Sequence, residues 1–163
     1  MSDKIDAKTT WTIWPWLFPL LYLIHVVEEY WAGVALATSP NKIRGANFTS
    51  GQFLIVNGLT FVLMLAIFIL SQRFKFSLWL MVCVGTVLLI NGLFHIKGTI
   101  KIAAYNPGLV TGTLLFVPLG IATLVVLKSR MSGRRYWTAL ITGILINFIV
   151  LLVARGGRKL FEL

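Results

Sequence analysis

The sequence predicts an all-α integral membrane protein, a polytopic bundle of five transmembrane helices, with four spans as the alternative. Hydrophobic residues make up 58% of the chain, against about 45–50% in ordinary soluble domains. They occur in long continuous blocks and not in the stripes of an amphipathic soluble helix. Each block has about 18 to 21 residues, or roughly 27–31 Å as a helix, which is enough to cross the hydrocarbon core.

The first three spans are separated by polar and basic segments. The first span begins at Trp11 and ends at Tyr30, with tryptophans at its start and Tyr30-Trp31 at its end, as is typical of membrane interfaces. The second begins after a longer polar stretch, and the third follows a short basic turn and carries Trp79 near its start. These three spans are predicted at residues 11–30, 53–70 and 76–96.

The last two spans have equally clear beginnings. The turn-forming pair Pro107-Gly108 precedes the fourth, and Tyr136-Trp137 opens the fifth after a basic run. We predict these spans at residues 108–127 and 137–154, which completes a single membrane domain over the 163 residues. Asn147, in the middle of the fifth span, is expected to form a hydrogen bond between helices.

The net charge is +10, from 15 basic and 5 acidic residues. On a soluble domain this charge would favour nucleic acid as a partner, but here the basic residues fall between the apolar blocks. There they are expected to contact anionic lipid headgroups, so we expect membrane lipids as partners and no nucleic acid. The bias of basic residues favours the N-terminal side as cytoplasmic, and the expected location is the plasma membrane of a prokaryote.

Four ionisable groups interrupt the apolar blocks: His25, Glu28, Glu29 and His95. A carboxylate at the centre of a membrane costs about 2.5–3.5 kcal/mol on insertion scales, so such groups are usually retained for a function. His25 and Glu29 are four residues apart and share a helix face, and so do Asn91 and His95.

Counting spans brings these groups together. We call the N-terminal side of the membrane face A and the opposite side face B. Span one ends at face B, span two begins there, span three ends there and span four begins there. Eight polar residues then lie at face B at similar depth: His25, Glu28, Glu29, Asn57, Asn91, His95, Tyr105 and Thr111.

A metal site is one interpretation of this cluster. Two histidines and a carboxylate can bind zinc or non-haem iron with positions left open for substrate. His25, Glu29 and His95 are the predicted ligands, with Glu28 as general base or fourth ligand. Asn91, Tyr105 and Thr111 would orient substrate or ligands by hydrogen bonds.

Other interpretations stay open. Adjacent glutamates repel one another, so one can hold a proton and serve in acid–base catalysis without a metal. The same residues can serve as the ion path of a carrier or proton-coupled channel, for which a homodimer is a candidate assembly. They can also be packing contacts. Asn57, Lys97 and Lys101 are candidates for binding substrate, although interhelical or headgroup contacts also explain them.

Three motifs occur in order along the chain: His25-Val26-Val27-Glu28-Glu29, then Asn91-Gly92-Leu93-Phe94-His95, then Tyr105-Asn106-Pro107-Gly108-Leu109-Val110-Thr111. Together they resemble the HXXEE family of small integral membrane proteins, and the matching region covers about residues 20 to 127. The resemblance implies a membrane enzyme whose site is built from these polar residues. It implies no particular substrate, so a lipid or another hydrophobic small molecule is expected from the membrane setting alone.

Overall fold

The computed structural model describes the backbone of residues 7–36, 49–73 and 77–161, and the side chains of residues 14–36, 49–69 and 78–153. The described chain is almost entirely helical, which confirms the all-α prediction. Its helices are α1 (Ala7–Leu36), α2 (Ser50–Arg73), α3 (Ser77–Ile102), α4 (Leu109–Thr111), α5 (Val117–Lys128) and α6 (Gly133–Phe161), with a π-helical segment at Gly112–Phe116 that joins α4 to α5.

Four helical segments in the described ranges are long and apolar enough to cross a membrane, at Ser50–Ile69, Leu78–Ile102, Leu109–Lys128 and Gly133–Val153. These correspond to the second to fifth predicted spans. The first predicted span lies within α1, which has 30 residues and is the longest helix. Helix α1 carries His25, Glu28 and Glu29 and is not among these four segments.

Helix α3 lies at the centre of the bundle. It packs along α6 and α5, while α1 contacts α2, α3 and α4 at the side of the bundle. The main core contains Phe18, Phe68, Met81, Val82 and Phe116. Asn147 donates a hydrogen bond to the carbonyl of Val87 at 2.8 Å, which confirms the predicted bond between two membrane helices.

A close backbone contact sets the position of α4 against α3. A Cβ added at Gly92 would lie 2.6 Å from the carbonyl oxygen of Gly112, so only glycine allows the two helices to approach this closely. Gly92 is three residues before His95, and Gly112 follows Thr111 directly. This contact therefore brings the His95 and Thr111 side chains to the same region of face B.

The π-helical segment Gly112–Phe116 has a local cause. Pro118, in the first turn of α5, has no N–H and its ring would clash with a carbonyl one turn earlier in a regular α-helix. Widening the preceding turn relieves this clash, and π-helical turns are often found at functional sites. Here the widened turn ends at Phe116, whose ring contacts His25 with 4.3 Å between ring centroids.

Candidate functional site

Three parts of the chain meet at face B. Helix α1 supplies His25, Glu28 and Glu29, α3 supplies His95, and the connection from α3 into α4 supplies Tyr105 to Thr111. His25 is only 2% exposed. The helix spacing anticipated from the sequence therefore places these side chains around one point.

The predicted metal ligands converge. Glu29 Oε1 lies 3.3 Å from His95 Nε2, and Glu29 Oε2 lies 3.8 Å from His25 Nε2. One ligand atom from each of His25, Glu29 and His95 falls within 4.8 Å of the other two. The two imidazole rings meet edge to face with centroids 4.9 Å apart. Glutamate and both histidines thus face a common centre.

Two polar atoms beside this centre have no hydrogen-bond partner. They are His25 Nε2 and Asn91 Oδ1, and both are buried. Asn91 lies next to the His25 imidazole. The Asn91 amide and the His25 imidazole interact with one another, but neither atom has a short, well-aligned hydrogen bond, which is uncommon for buried polar atoms and costs about 1–3 kcal/mol each.

Glu28 points away from the centre, toward the start of α4. Its Oε2 accepts hydrogen bonds from Thr111 N at 2.7 Å and from Thr111 Oγ1 at 2.5 Å. Its Oε1 accepts from Val110 N at 3.0 Å and from the Tyr105 hydroxyl at 2.5 Å. The carboxylate thus caps the free N–H groups of a helix N-terminus, where the helix dipole favours negative charge.

The Nδ1 atom of each histidine, which faces away from the centre, also has a polar neighbour. His25 Nδ1 lies 2.7 Å from Thr111 Oγ1, which links the imidazole to Glu28. His95 Nδ1 lies 3.3 Å from Asn106 Nδ2. Groups that hold the outer nitrogen of a histidine determine which tautomer faces a metal. Asn91 and Thr111 both lie beside His25, whereas Tyr105 contacts Glu28.

Gly108 provides the space that the two imidazoles occupy. Its φ is 87°, a left-handed conformation that side chains other than glycine rarely adopt. A Cβ at this position would lie 2.5 Å from His95 Cε1 and 2.8 Å from His25 Cε1. From the sequence, Gly108 was predicted only to form a turn. Its position in the third motif was the one feature that could have indicated a role at the site.

Tyr105 lies in the connection between α3 and α4 and is 37% exposed. Burial of part of the ring, together with the hydrogen bond and the negative charge of Glu28, raises the pKa of the phenol to about 12. Tyr105 therefore remains a neutral hydrogen-bond donor to Glu28 at any physiological pH.

Asn57, Lys97 and Lys101 lie outside the cluster of contacts. Asn57 accepts a hydrogen bond from the Tyr22 hydroxyl at 2.7 Å and donates one to the carbonyl of Phe53. Both lysines are exposed, and neither has a contact with His25, Glu29 or His95 in the described part of the structure. Their proposed contact with substrate remains a prediction.

Sequence analysis did not assign Asn106 or Tyr22 to the site. Asn106 contacts His95. Its position in the third motif, next to Tyr105, could have indicated this role. Tyr22 is seven residues before Glu29, two helical turns away on the same face of α1. Its hydrogen bond to Asn57 joins α1 to α2 near the site.

The site has an apolar floor toward face A. Phe116 lies against His25, and the rings of Phe18 and Phe68 stack below with centroids 5.5 Å apart. Buried threonines deeper in the bundle donate to helix carbonyls, as Thr86 does to Val82 and Thr123 does to Leu119. Within the described residues, we find no chain of polar side chains from the site to face A.

Comparison with known proteins agrees with the motifs. No curated protein and no solved structure matches the chain. A family model described as "Protein of unknown function with HXXEE motif" matches residues 16–123, which is more than half of the chain. The matched region includes α3 and all three motifs, from His25 of the first to Thr111 of the third. The protein therefore belongs to the HXXEE family.

Proposed function

We propose that this protein is an integral membrane enzyme that binds zinc or iron at His25, Glu29 and His95 and acts on a lipid or another hydrophobic small molecule. The observation that carries this proposal is the convergence of the three ligand atoms around a buried His25 Nε2 that has no hydrogen-bond partner. Two imidazoles and one carboxylate are a known donor set for both metals in catalytic sites.

The spacing of the three groups favours a cation between them. His25 Nε2 and Glu29 Oε2 are 3.8 Å apart, too far for a hydrogen bond and too close for either atom to be surrounded by water. The carboxylate is the only negatively charged side chain that faces both imidazoles in the described residues. A divalent cation would satisfy the buried nitrogen and neutralise Glu29 at once.

A bound divalent metal would polarise a substrate carbonyl or phosphoryl oxygen and increase the acidity of a bound water molecule. The chain's own groups have separate roles around it. Glu29 and the histidines would hold the ion, and Asn91, which interacts with the His25 imidazole, would offer its amide to a substrate or to water once a metal occupies His25 Nε2. Glu28 already accepts four hydrogen bonds, so a role in supporting His25 suits it better than a role as general base.

The surroundings favour a substrate that arrives from the membrane. The side chains of Glu29 and His95 are 22% and 12% exposed, so the site is accessible. Neighbouring positions on the outer surface of α3, α4 and the π-helical segment are exposed and apolar, at Leu93, Phe94, Val110 and Leu114. In a membrane these side chains contact lipid, and a molecule that reaches Glu29 past them has to be at least partly apolar.

The apolar floor argues for an enzyme over a carrier. A carrier or proton channel needs polar groups or water on both sides of its binding site. Here Phe116 lies below His25, and the Phe18–Phe68 stack follows. This arrangement supports access from face B and from the lipid side, and so an enzyme over a carrier.

Metal analysis by mass spectrometry tests the proposal. The protein would be purified in mild detergent, with and without reloading by zinc or iron, and compared with His95→Ala. Lys97→Ala is a matched control, because Lys97 lies two residues along the same helix and is exposed. We expect near-stoichiometric metal in the wild type and in Lys97→Ala, and loss of it in His95→Ala. A folded wild type that takes up neither metal would refute the metal site and leave acid–base catalysis as the explanation of the cluster.

A further inference from the structure

We infer that Glu28 acts through Thr111 as a positioning residue that holds His25 in one tautomer, with a proton on Nδ1 and the lone pair of Nε2 directed at the metal position. This inference rests on the proposed metal site. The two adjacent glutamates of the first motif then have different roles. Glu29 faces the metal position, and Glu28 orients the His25 side chain through Thr111.

The first step is the charge state that the contacts around Glu28 require. Both of its oxygens are acceptors, for two backbone N–H groups and two hydroxyls, at distances of 2.5 to 3.0 Å. A carboxylate has enough lone pairs for four donors, whereas a protonated carboxyl would require one of the two hydroxyls to accept a hydrogen bond instead of donating it. The contacts therefore fit the ionised form of Glu28.

The second step is the direction of the Thr111 hydroxyl. A hydroxyl has one hydrogen, and that of Thr111 is donated to Glu28 Oε2. Thr111 Oγ1 can then only accept a hydrogen bond from His25 Nδ1, which lies 2.7 Å away. The imidazole thus carries its proton on Nδ1. The lone pair is then on Nε2, which has no well-aligned hydrogen bond, although the ring also interacts with the Asn91 amide.

The third step is the contrast with His95. Its Nδ1 faces the amide of Asn106, which can offer either its N–H₂ or, after rotation, its oxygen. His95 Nε2 can therefore carry a proton that contacts Glu29 at 3.3 Å, or present a lone pair to a metal. His25 is therefore fixed in the tautomer that can bind a metal, whereas His95 can change tautomer when a metal binds.

Nitrogen-15 NMR of the histidines in metal-free protein tests the inference separately from the metal proposal. The chain has only two histidines, so His25 is observed alone in a His95→Gln background. Protonated and bare imidazole nitrogens have well-separated shifts, and the spectra would be recorded near pH 8, above the ordinary pKa of imidazole. We expect a protonated Nδ1 and a bare Nε2.

Four variants in this background test the linkage. Thr111→Ser keeps the hydroxyl and should keep the tautomer, while Thr111→Val should lose it. Glu28→Ala leaves the Thr111 hydroxyl free to donate to Nδ1, so His25 should change to the Nε2-protonated tautomer. Thr113→Val is the matched control, because Thr113 lies in the same segment and its buried Oγ1 has no partner.

In a chain with both histidines, Thr111→Val should weaken zinc binding by about 10- to 100-fold, the usual effect of losing a group that orients a ligand histidine. A wild-type His25 protonated on Nε2 would overturn the inference, as would an unchanged tautomer in Thr111→Val. The expected tautomers without any zinc binding would uphold the positioning role and refute the metal site.

Discussion

Substitution of Gly108 by alanine tests the geometry of the site most directly. Gly108 has a φ of 87°, and an added Cβ would lie 2.5 Å from His95 Cε1 and 2.8 Å from His25 Cε1. Ordinary van der Waals contact begins at about 3.4 Å, so each imidazole has to retreat by roughly half an ångström to an ångström. Metal ligands tolerate displacements of only about 0.2 Å.

Two costs are expected from Gly108→Ala. A left-handed alanine costs roughly 1–2 kcal/mol, and overpacking adds about 1–3 kcal/mol where the neighbours cannot move away. The unfolding free energy should therefore fall by about 2–5 kcal/mol unless the imidazoles yield. If they do yield, zinc affinity should fall by at least about 10-fold, since both ligand nitrogens leave their positions.

The assay combines unfolding in detergent with a zinc titration on the same sample. Gly58→Ala is the matched control, because a Cβ at Gly58 meets no atom within 4 Å, and alanine within a helix should be neutral or stabilising by about 0.5–1 kcal/mol. Gly108→Asn separates the two costs, since asparagine tolerates positive φ but still carries a Cβ. If Gly108→Ala matched the wild type in both stability and zinc affinity, the described packing of the histidines would be refuted.

Three further predictions follow from other contacts. Asn106→Asp should strengthen zinc binding by about 10-fold in a competition titration, because a carboxylate holds the proton on His95 Nδ1 and directs the Nε2 lone pair to the metal; Asn106→Leu should weaken binding. Tyr105→Phe should lower the melting temperature by the same amount from neutral pH to about pH 10. The phenol's folded pKa of about 12 lies above its ordinary value, so its stabilising contribution is complete below the ordinary pKa and is lost as the pH rises through 12. Asn147→Leu should reduce the unfolding free energy by about 0.6–1.7 kcal/mol in detergent, the range for hydrogen bonds between membrane helices, without changing zinc affinity.

Each of these predictions has a contrary result. Equal zinc affinity in Asn106→Asp and Asn106→Leu would show that Asn106 does not govern His95. A Tyr105→Phe difference that vanished already near neutral pH would contradict the raised pKa of the phenol. A loss of zinc binding in Asn147→Leu would mean that the α3–α6 contact also controls the site. We do not expect this, because Val87, the hydrogen-bond partner of Asn147, is far from His95 along α3.

Much of the fold was predictable because membrane helices are encoded locally. An apolar run of suitable length has to be helical in lipid, since only a helix satisfies its own backbone groups. Each predicted span consequently overlaps an observed helical segment, although the helices extend up to seven residues beyond the predicted ends. Counting the spans was enough to place His25, Glu29 and His95 at one face, and helix periodicity was enough to give His25 and Glu29 a common side.

The tertiary structure decided which group each side chain meets. Glu28 and Glu29 are adjacent in sequence and chemically identical, yet about 100° of helix rotation separates them. One therefore caps α4 and the other faces the two histidines. The Gly92–Gly112 contact and the left-handed Gly108 set that arrangement. Helix periodicity fixes directions only relative to a helix's own axis, whereas the rotation of α1 against α3 and α4 depends on contacts far apart in the chain.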